Sequence, residues 1–145
     1  MSGEYPRLLK KRAVDMLELA ERLFRENKYD LTVLHAEYAA RLYLKSLLYR
    51  LTGEEYRGHC MRALLALLAE ILEDEGFDML ADDVRRFAAA NRRLLAELEE
   101  GHTRAVYGVF EYSRSQAEKL LHAARELVNL LTRIERGVFG EAQQA

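Results

Sequence analysis

The chain of 145 residues contains no tryptophan, one proline, one cysteine and eight glycines. An all-β fold of this length needs many more turn residues, so β-sandwiches and β-barrels are disfavoured. Cys60 has no second cysteine with which to form an internal disulfide, which is consistent with a reducing cytosol. Asparagine and glutamine together number six, and so few amides beside many charged residues are typical of a thermophilic protein.

Long apolar runs are also absent. No uncharged run approaches about 18 residues, so we expect no membrane-spanning helix. The first eleven residues carry four charged side chains, which argues against a signal segment and favours a cytoplasmic protein. The net charge is −2, which is not the strongly basic balance of a dedicated DNA-binding protein. The length predicts a single domain over residues 1–145.

Apolar residues recur at helical spacing along nearly the whole chain and predict five helices. Their expected ranges are 6–27, 31–52, 59–75, 79–99 and 110–136, followed by a frayed tail over 136–145. Short connections between long helices predict an all-α fold, an antiparallel up-and-down bundle. The second helix is apolar almost all round, so we expect other helices to surround it. Its charged residues form a single line with a spacing of four: Glu37, Arg41 and Lys45.

Several residues mark expected helix ends. Gly53 is a natural terminator of the second helix. Asp30 and Asp78 are expected to be the N-caps of the helices that follow them. Ser113 with Gln116 and Ser115 with Glu118 both have the spacing of a capping box near the start of the last helix.

Charge is distributed unevenly along the sequence. Residues 70–83 include seven acidic residues and no lysine or arginine, and a group of arginines follows directly. Because seven residues make nearly two helical turns, Arg85 aligns with Arg92 and Arg86 with Arg93 in one basic band. Taken alone, the band is best interpreted as a solvated helix face with local ion pairs such as Asp82 with Arg86. The functional alternatives are a phosphate-binding surface and a docking surface for an acidic partner.

The sequence shows no standard catalytic or metal-binding motif. The four histidines lack metal-ligand spacing, so we expect no metal and no cofactor. His35 lies among apolar neighbours and is interpreted as a core histidine. Asn91 falls inside an apolar stripe, where a buried amide needs hydrogen-bond partners. Asn91 is therefore either a structural contact to a neighbouring helix or part of a binding site.

The segment 102–108 is the strongest candidate site. His102, Arg104 and Tyr107 bring an imidazole, a guanidinium and a phenol into an expected loop between two long helices. Loops on a rigid scaffold are where functional groups tend to be exposed. We predict that these three residues bind a phosphate together, with Arg114 and the basic band as electrostatic support. The alternative is a helix-capping loop with Tyr107 packed on the bundle.

Three segments resemble the HEPN family of small all-α domains. The first is AERLFRENKYD at 20–30, the second is HAEYAARLYLKSLL at 35–48 followed by His59, and the third is TRAVYG at 103–108. Their order and spacing extend the resemblance over about Arg7 to Ile134. It implies a helical bundle that usually forms a homodimer and works on nucleotides or RNA. Many members of the family are encoded beside a minimal nucleotidyltransferase in pairs that resemble toxin–antitoxin systems.

The ribonuclease branch of this family carries an arginine followed, after four to six residues, by a histidine near the start of the last helix. In this chain Arg104 is followed by Tyr107 and Tyr112, and His102 precedes it. Arg41 also stands where the family usually has an acidic residue. The resemblance therefore implies a non-catalytic module that binds a nucleotide or RNA. The alternatives are a metal-independent endoribonuclease that uses His102 and Arg104, and a purely structural protein-interaction module.

Overall fold

A computed structural model describes residues 3–58 and 60–140. The helices are α1 (Glu4–Arg25), α2 (Tyr29–Thr52), α3 (Met61–Asp74), α4 (Asp78–Ala90), α5 (Arg92–Tyr107) and α6 (Arg114–Phe139). The described residues form no β-strand, so the predicted all-α bundle is confirmed. None of these helices combines the length and the apolar character needed to cross a membrane. His59, the predicted start of the third helix, lies outside the described residues.

Helix α2 forms the centre of the bundle and packs against α1, α3, α5 and α6. Tyr43, Leu44, Leu47 and Leu48 of this helix are fully buried. Burial of one such side chain contributes about 1.5–3 kcal/mol. The apolar sequence on all sides of α2 is thus explained by its position, and the prediction that other helices surround it is confirmed.

The predicted fourth helix is two helices, which makes six in the described chain rather than five. The break lies at Asn91, whose φ of −119° and ψ of 25° are not helical. The side-chain Nδ2 of Asn91 donates to the Phe87 carbonyl at 2.9 Å, and the Asn91 backbone N–H bonds to the same oxygen at 3.0 Å. Asn91 therefore closes the last turn of α4 and makes this bond within its own helix end rather than to a neighbouring helix.

The predicted loop over 101–108 is wrong, because α5 continues through Gly101 to Tyr107. Gly101 is buried, and a Cβ atom on it would lie 2.5 Å from Cγ1 of Val33. This glycine therefore permits close contact between α5 and α2 rather than ending the helix.

The start of α6 also differs from the prediction, which placed it at Phe110. Helix α6 begins at Arg114, where Ser113 and Gln116 form one of the two capping boxes that the sequence offered. Its end is Phe139 rather than Arg136, because Val138 and Phe139 pack against the hydrophobic core. The rest of the tail that we expected to fray, residues 141–145, lies outside the described residues.

Other helix ends agree only in part with the predictions. Gly53 adopts a φ of 76° at the end of α2, as predicted. Asp30 lies inside the first turn of α2 instead of capping it, and its Oδ1 accepts the Tyr112 backbone N–H at 2.8 Å. This bond holds the α5–α6 connection against α2. Asp78 is the first residue of α4, and Phe77 occupies the N-cap position.

Candidate functional site

Two residues of the charged line on α2, Glu37 and Arg41, contact His102 of α5 in a partly buried cluster. Arg41 Nε donates to Glu37 Oε2 at 2.8 Å, and Arg41 Nη2 donates to Glu37 Oε1 at 3.2 Å. His102 on α5 reaches the same pair, with Nδ1 at 3.0 Å from Arg41 Nη2 and 3.3 Å from Glu37 Oε1. The Glu37 side chain is 1% exposed and the His102 side chain 44% exposed. The cluster therefore extends from the core to the surface.

Glu37 determines how Arg41 is held. A buried carboxylate is costly unless it is paired, and the i,i+4 spacing on α2 supplies the partner. The bidentate contact fixes the plane of the guanidinium. Arg41 Cζ lies 4.8 Å from the ring centroid of Tyr38, and the His102 ring meets the Tyr38 ring edge-on with the centroids 6.4 Å apart. The Glu37 carboxylate and the Tyr38 ring together hold the Arg41 guanidinium in one orientation.

Arg41 borders a groove of about 320 Å³ between α1, α2 and the α2–α3 connection. We call it the tyrosine groove. Its cationic and aromatic lining residues are Arg41, Lys45, Arg57, Tyr5, Tyr38, Tyr49 and Tyr56. Its acidic lining residue, Glu55, accepts the Tyr5 hydroxyl at 3.2 Å. The groove thus combines an excess of positive charge with aromatic side chains.

Desolvation affects two ionisable groups in this groove. Burial lowers the pKa of Lys45, and the nearby Arg41 charge lowers it further. Desolvation raises the pKa of Tyr5, and its hydrogen bond to Glu55 acts in the same direction. The Tyr5 ring also meets Tyr49 edge-on, with the ring centroids 5.3 Å apart. An anion placed beside Lys45 would compensate for the lost hydration of the ammonium group.

The structure separates His102 from the two residues predicted to act with it. Arg104 lies two residues further along α5, which is about 200° around the helix axis. His102 turns toward α2, whereas Arg104 Nη1 lies 4.0 Å from Glu100 and its guanidinium lies 5.6 Å from the Tyr112 ring centroid. The separation arises because the segment is a helix instead of a loop.

Arg104 and Tyr107 do share a surface. They line a shallow groove of about 400 Å³ together with Glu100, Thr103 and Gly108. The Tyr107 side chain is exposed and does not pack on the bundle, contrary to the alternative in which it closes a helix end.

Two of the four arginines in the predicted basic band form ion pairs with other residues that the structure describes. Arg85 contacts Glu73 at 3.0 Å, and Arg86 contacts Asp83 at 2.6 Å. The hydrogen bond to Glu73 raises the pKa of Arg85. Arg85 and Arg92 still line one groove between α3, α4 and α5, despite the break at Asn91. The interpretation as local ion pairs therefore describes Arg85 and Arg86.

The remaining predicted residues lie on other parts of the surface. Arg93 is exposed on α5. Arg114 begins α6, where its guanidinium lies 4.9 Å from the Phe24 ring centroid and Nη1 lies 3.3 Å from the Tyr29 hydroxyl. Within residues 3–58 and 60–140, no three His, Cys, Asp or Glu side chains are grouped so as to hold a metal ion.

Arg41 and Lys45, the principal cations of the tyrosine groove, were not among the predicted site residues. A signal for them was present in the sequence, because a charged line interrupts a helix that is otherwise apolar on all sides. On a buried helix such a line must be paired internally or face a cleft. Glu37 with Arg41 meets the first condition, and Lys45 meets the second.

A family model for the HEPN domain matches residues 6–134. The chain belongs to the HEPN family. No curated protein and no solved structure matches it. Membership confirms the resemblance carried by the three sequence segments, and in this HEPN domain Arg41 is paired with Glu37 one turn earlier on α2.

Proposed function

We propose that this cytoplasmic HEPN domain binds the phosphate groups of a nucleotide or single-stranded RNA in the tyrosine groove. The observation that carries the proposal is the placement of Arg41 and Lys45 beside four tyrosines in one open groove. Guanidinium and ammonium groups bind phosphate oxygens, and aromatic side chains stack on bases. Few other ligands need both features at once.

The cations of the groove differ in how they contribute. The Arg41 side chain is 7% exposed and is held by Glu37, so it contributes fixed positive charge at the wall of the groove. Lys45 is partly desolvated and therefore interacts more strongly with a phosphate than a fully hydrated lysine does. Arg57 is exposed at the α2–α3 connection, where it extends the positive charge along the groove.

Fluorescence anisotropy with a short labelled single-stranded RNA tests the proposal. We expect Lys45→Gln to weaken binding about tenfold, the typical loss for one charge-assisted hydrogen bond. Because each single-strand phosphate contact contributes a salt slope of about −0.7, this variant also flattens the salt dependence by about 0.7. Arg133→Gln removes the same charge from an exposed position on α6 and should bind like the wild type.

One further variant separates the tyrosine groove from the site predicted from the sequence. Arg104→Gln removes a charge from the surface that Arg104 shares with Tyr107. We expect it to leave RNA affinity within twofold. A loss with Arg104→Gln and none with Lys45→Gln would move the binding site to the end of α5 and contradict the proposal.

The contact between Glu37 and His102 favours one alternative function, a metal-independent endoribonuclease. His102 Nδ1 contacts both Arg41 Nη2 and Glu37 Oε1, and a positioned imidazole is a common general acid or base. In this reading Arg41, rather than Arg104, holds the phosphate beside His102. The test is incubation with RNA in the presence of EDTA. Cleavage that is lost in His102→Ala supports the enzyme, and intact RNA with the wild-type protein contradicts it.

We also propose that the α5–α6 turn mediates homodimer formation. Its side chains Val106, Tyr107, Val109 and Phe110 are between 55% and 88% exposed. Four large apolar side chains exposed within five residues are typical of an interaction surface. Acidic and basic residues at its edges, Glu100, Glu111, Arg104 and Arg114, can pair across a two-fold axis.

The partner proposed from family membership is a minimal nucleotidyltransferase in a pair that resembles a toxin–antitoxin system. Co-expression of the two chains followed by affinity purification tests this pairing. Stable co-elution of a nucleotidyltransferase encoded beside this chain supports it, and elution of the HEPN domain alone contradicts it. Tight protein binding without RNA or nucleotide binding would instead favour a purely structural interaction module.

A further inference from the structure

A second charged groove lies on the other side of α1. It has a volume of about 350 Å³ and is bordered by α1, α2 and α6. Helix α1 turns Tyr5 and Leu9 toward the tyrosine groove and Lys10 and Val14 toward this one. The ionic lining residues of the second groove are Arg7, Lys10, Lys11, Arg50, Asp15 and Glu135.

A buried carboxylate organises two of these cations. Glu135 is 4% exposed. Its Oε1 lies 2.9 Å from Lys10 Nζ and accepts the Tyr43 hydroxyl at 2.9 Å, and its Oε2 accepts Arg50 Nη1 at 2.9 Å. Burial raises the pKa of Tyr43, which keeps this phenol a hydrogen-bond donor to the carboxylate. Lys10 of α1 and Arg50 of α2 therefore both bond to the Glu135 carboxylate of α6.

Aromatic rings fix the same two cations from a second direction. The Arg50 guanidinium lies 3.9 Å from the Phe139 ring centroid, and Lys10 Nζ lies 5.9 Å from the Tyr43 ring centroid. Both side chains remain about a quarter exposed, so their charged ends border the groove. Cations held in place before binding lose little entropy when an anion arrives.

The charge in this groove is not balanced. Glu135 pairs with Lys10 and Arg50, and Asp15 pairs with Lys11 at 3.2 Å. The lining as a whole has four cations and two carboxylates, which leaves an excess of two positive charges. Gly3, the N-cap of α1, also lines the groove, and within the described residues no side chain caps this helix end. The first-turn amides therefore add positive potential. Stability alone does not require this arrangement, because apolar packing usually stabilises a core at least as well as buried ions.

We propose that this second groove binds a small phosphate monoester, independently of the tyrosine groove. Its volume lies at the lower end of the range for small-molecule sites. A phosphate dianion matches the excess of two positive charges, and its oxygens suit the mixed set of ammonium, guanidinium and helix-terminal donors. Lys10 and Arg50 form the fixed part of the site, and Arg7 and Lys11 lie at its exposed edge.

Ribose 5-phosphate is a suitable probe, with ribose as the uncharged control, and ¹H–¹⁵N spectra at constant ionic strength report the site. We expect saturable shifts at the amides of Val14 and Ser46 with the phosphate ester and none with ribose. The double variant Arg7→Gln, Lys11→Gln should weaken binding about tenfold. The matched double variant Lys119→Gln, Arg133→Gln removes the same charge from exposed positions on α6 that line neither groove and should stay within twofold.

Two outcomes overturn the proposal. Shifts at Val14 and Ser46 that do not saturate, or that ionic strength alone reproduces, indicate general screening without a site. Saturable shifts confined to Leu42 and Tyr56 place the phosphate in the tyrosine groove, which eliminates the second site and leaves the proposed function intact. Conversely, loss of RNA binding to the tyrosine groove leaves the second site testable with the same probe.

Discussion

Arg41 Nη2 lies 3.0 Å from His102 Nδ1, although the two residues are 61 positions apart in the chain. This contact joins the central helix α2 to the part of α5 that leads into the exposed apolar turn. Glu37 lies within hydrogen-bond distance of both residues. The three side chains thus connect a core helix, the tyrosine groove and the proposed homodimer surface.

Glu37→Gln should destabilise the fold by about 3–5 kcal/mol, because it leaves the Arg41 guanidinium buried without its counter-charge. Urea unfolding measures the loss. The single variant Arg41→Met and the double variant Glu37→Gln, Arg41→Met complete a double-mutant cycle. The double variant removes both charges, so its loss should be smaller than the sum of the two single losses, which makes the coupling energy opposite in sign to those losses. A loss in the double variant equal to the sum of the two single losses would contradict the pairing of Glu37 with Arg41.

From the lowered pKa of Lys45 we expect anion binding in the tyrosine groove to depend on pH. Because burial and Arg41 lower the pKa of Lys45, the ammonium loses its proton at a lower pH than an ordinary lysine. Affinity for RNA should therefore fall as the pH rises through a range below 10.5, the ordinary value for lysine. Measurements of affinity against pH test this expectation. Lys45→Arg, which stays charged, should abolish the change, and the same pH profile in this variant would assign it to another group.

The lowered pKa of Lys45 also has a consequence for folding. A lysine whose pKa is lower in the folded chain binds fewer protons there than in the unfolded chain. The free energy of unfolding therefore rises with pH between the folded and unfolded pKa values and gains nothing below that range. Lys45→Gln should remove this part of the pH dependence in urea unfolding.

The sequence predicted the bundle well because its helices depend on local patterns. Gly53 and one of the two candidate capping boxes, Ser113 with Gln116, act within a few residues and agree with the structure. The apolar stripes also act locally, although the stripe predicted for the fourth helix continues across the break at Asn91. The site was predicted poorly because it depends on which faces meet. In the sequence, Gly101 suggests the end of a helix. In the structure it lies inside α5, where the missing Cβ allows close contact with Val33. Because the helix continues, Arg104 points away from His102.

Gly101→Ala tests that packing role. The new Cβ would lie 2.5 Å from Val33 Cγ1, so we expect a loss of about 1–3 kcal/mol from overpacking, despite the better helix propensity of alanine. Gly58→Ala is the matched control, because no atom lies within 4 Å of its Cβ position. Val33→Ala should partly rescue Gly101→Ala in thermal unfolding. If Gly101→Ala is as stable as the control, the close approach of α2 and α5 is wrong.

Phe110→Asp tests the proposed homodimer surface. Phe110 is 76% exposed, so the change costs the monomer little stability, whereas a charge in the middle of an apolar contact opposes association. Sedimentation equilibrium should show a dimer for the wild type and a monomer for this variant. Met79→Asp, at an 82% exposed position on α4, introduces the same charge elsewhere and should remain dimeric. A wild-type monomer would contradict the proposed homodimer. Dissociation by Met79→Asp but not by Phe110→Asp would place self-association away from the α5–α6 turn. RNA affinity measured on the same samples then shows whether the tyrosine groove binds its ligand in the monomer.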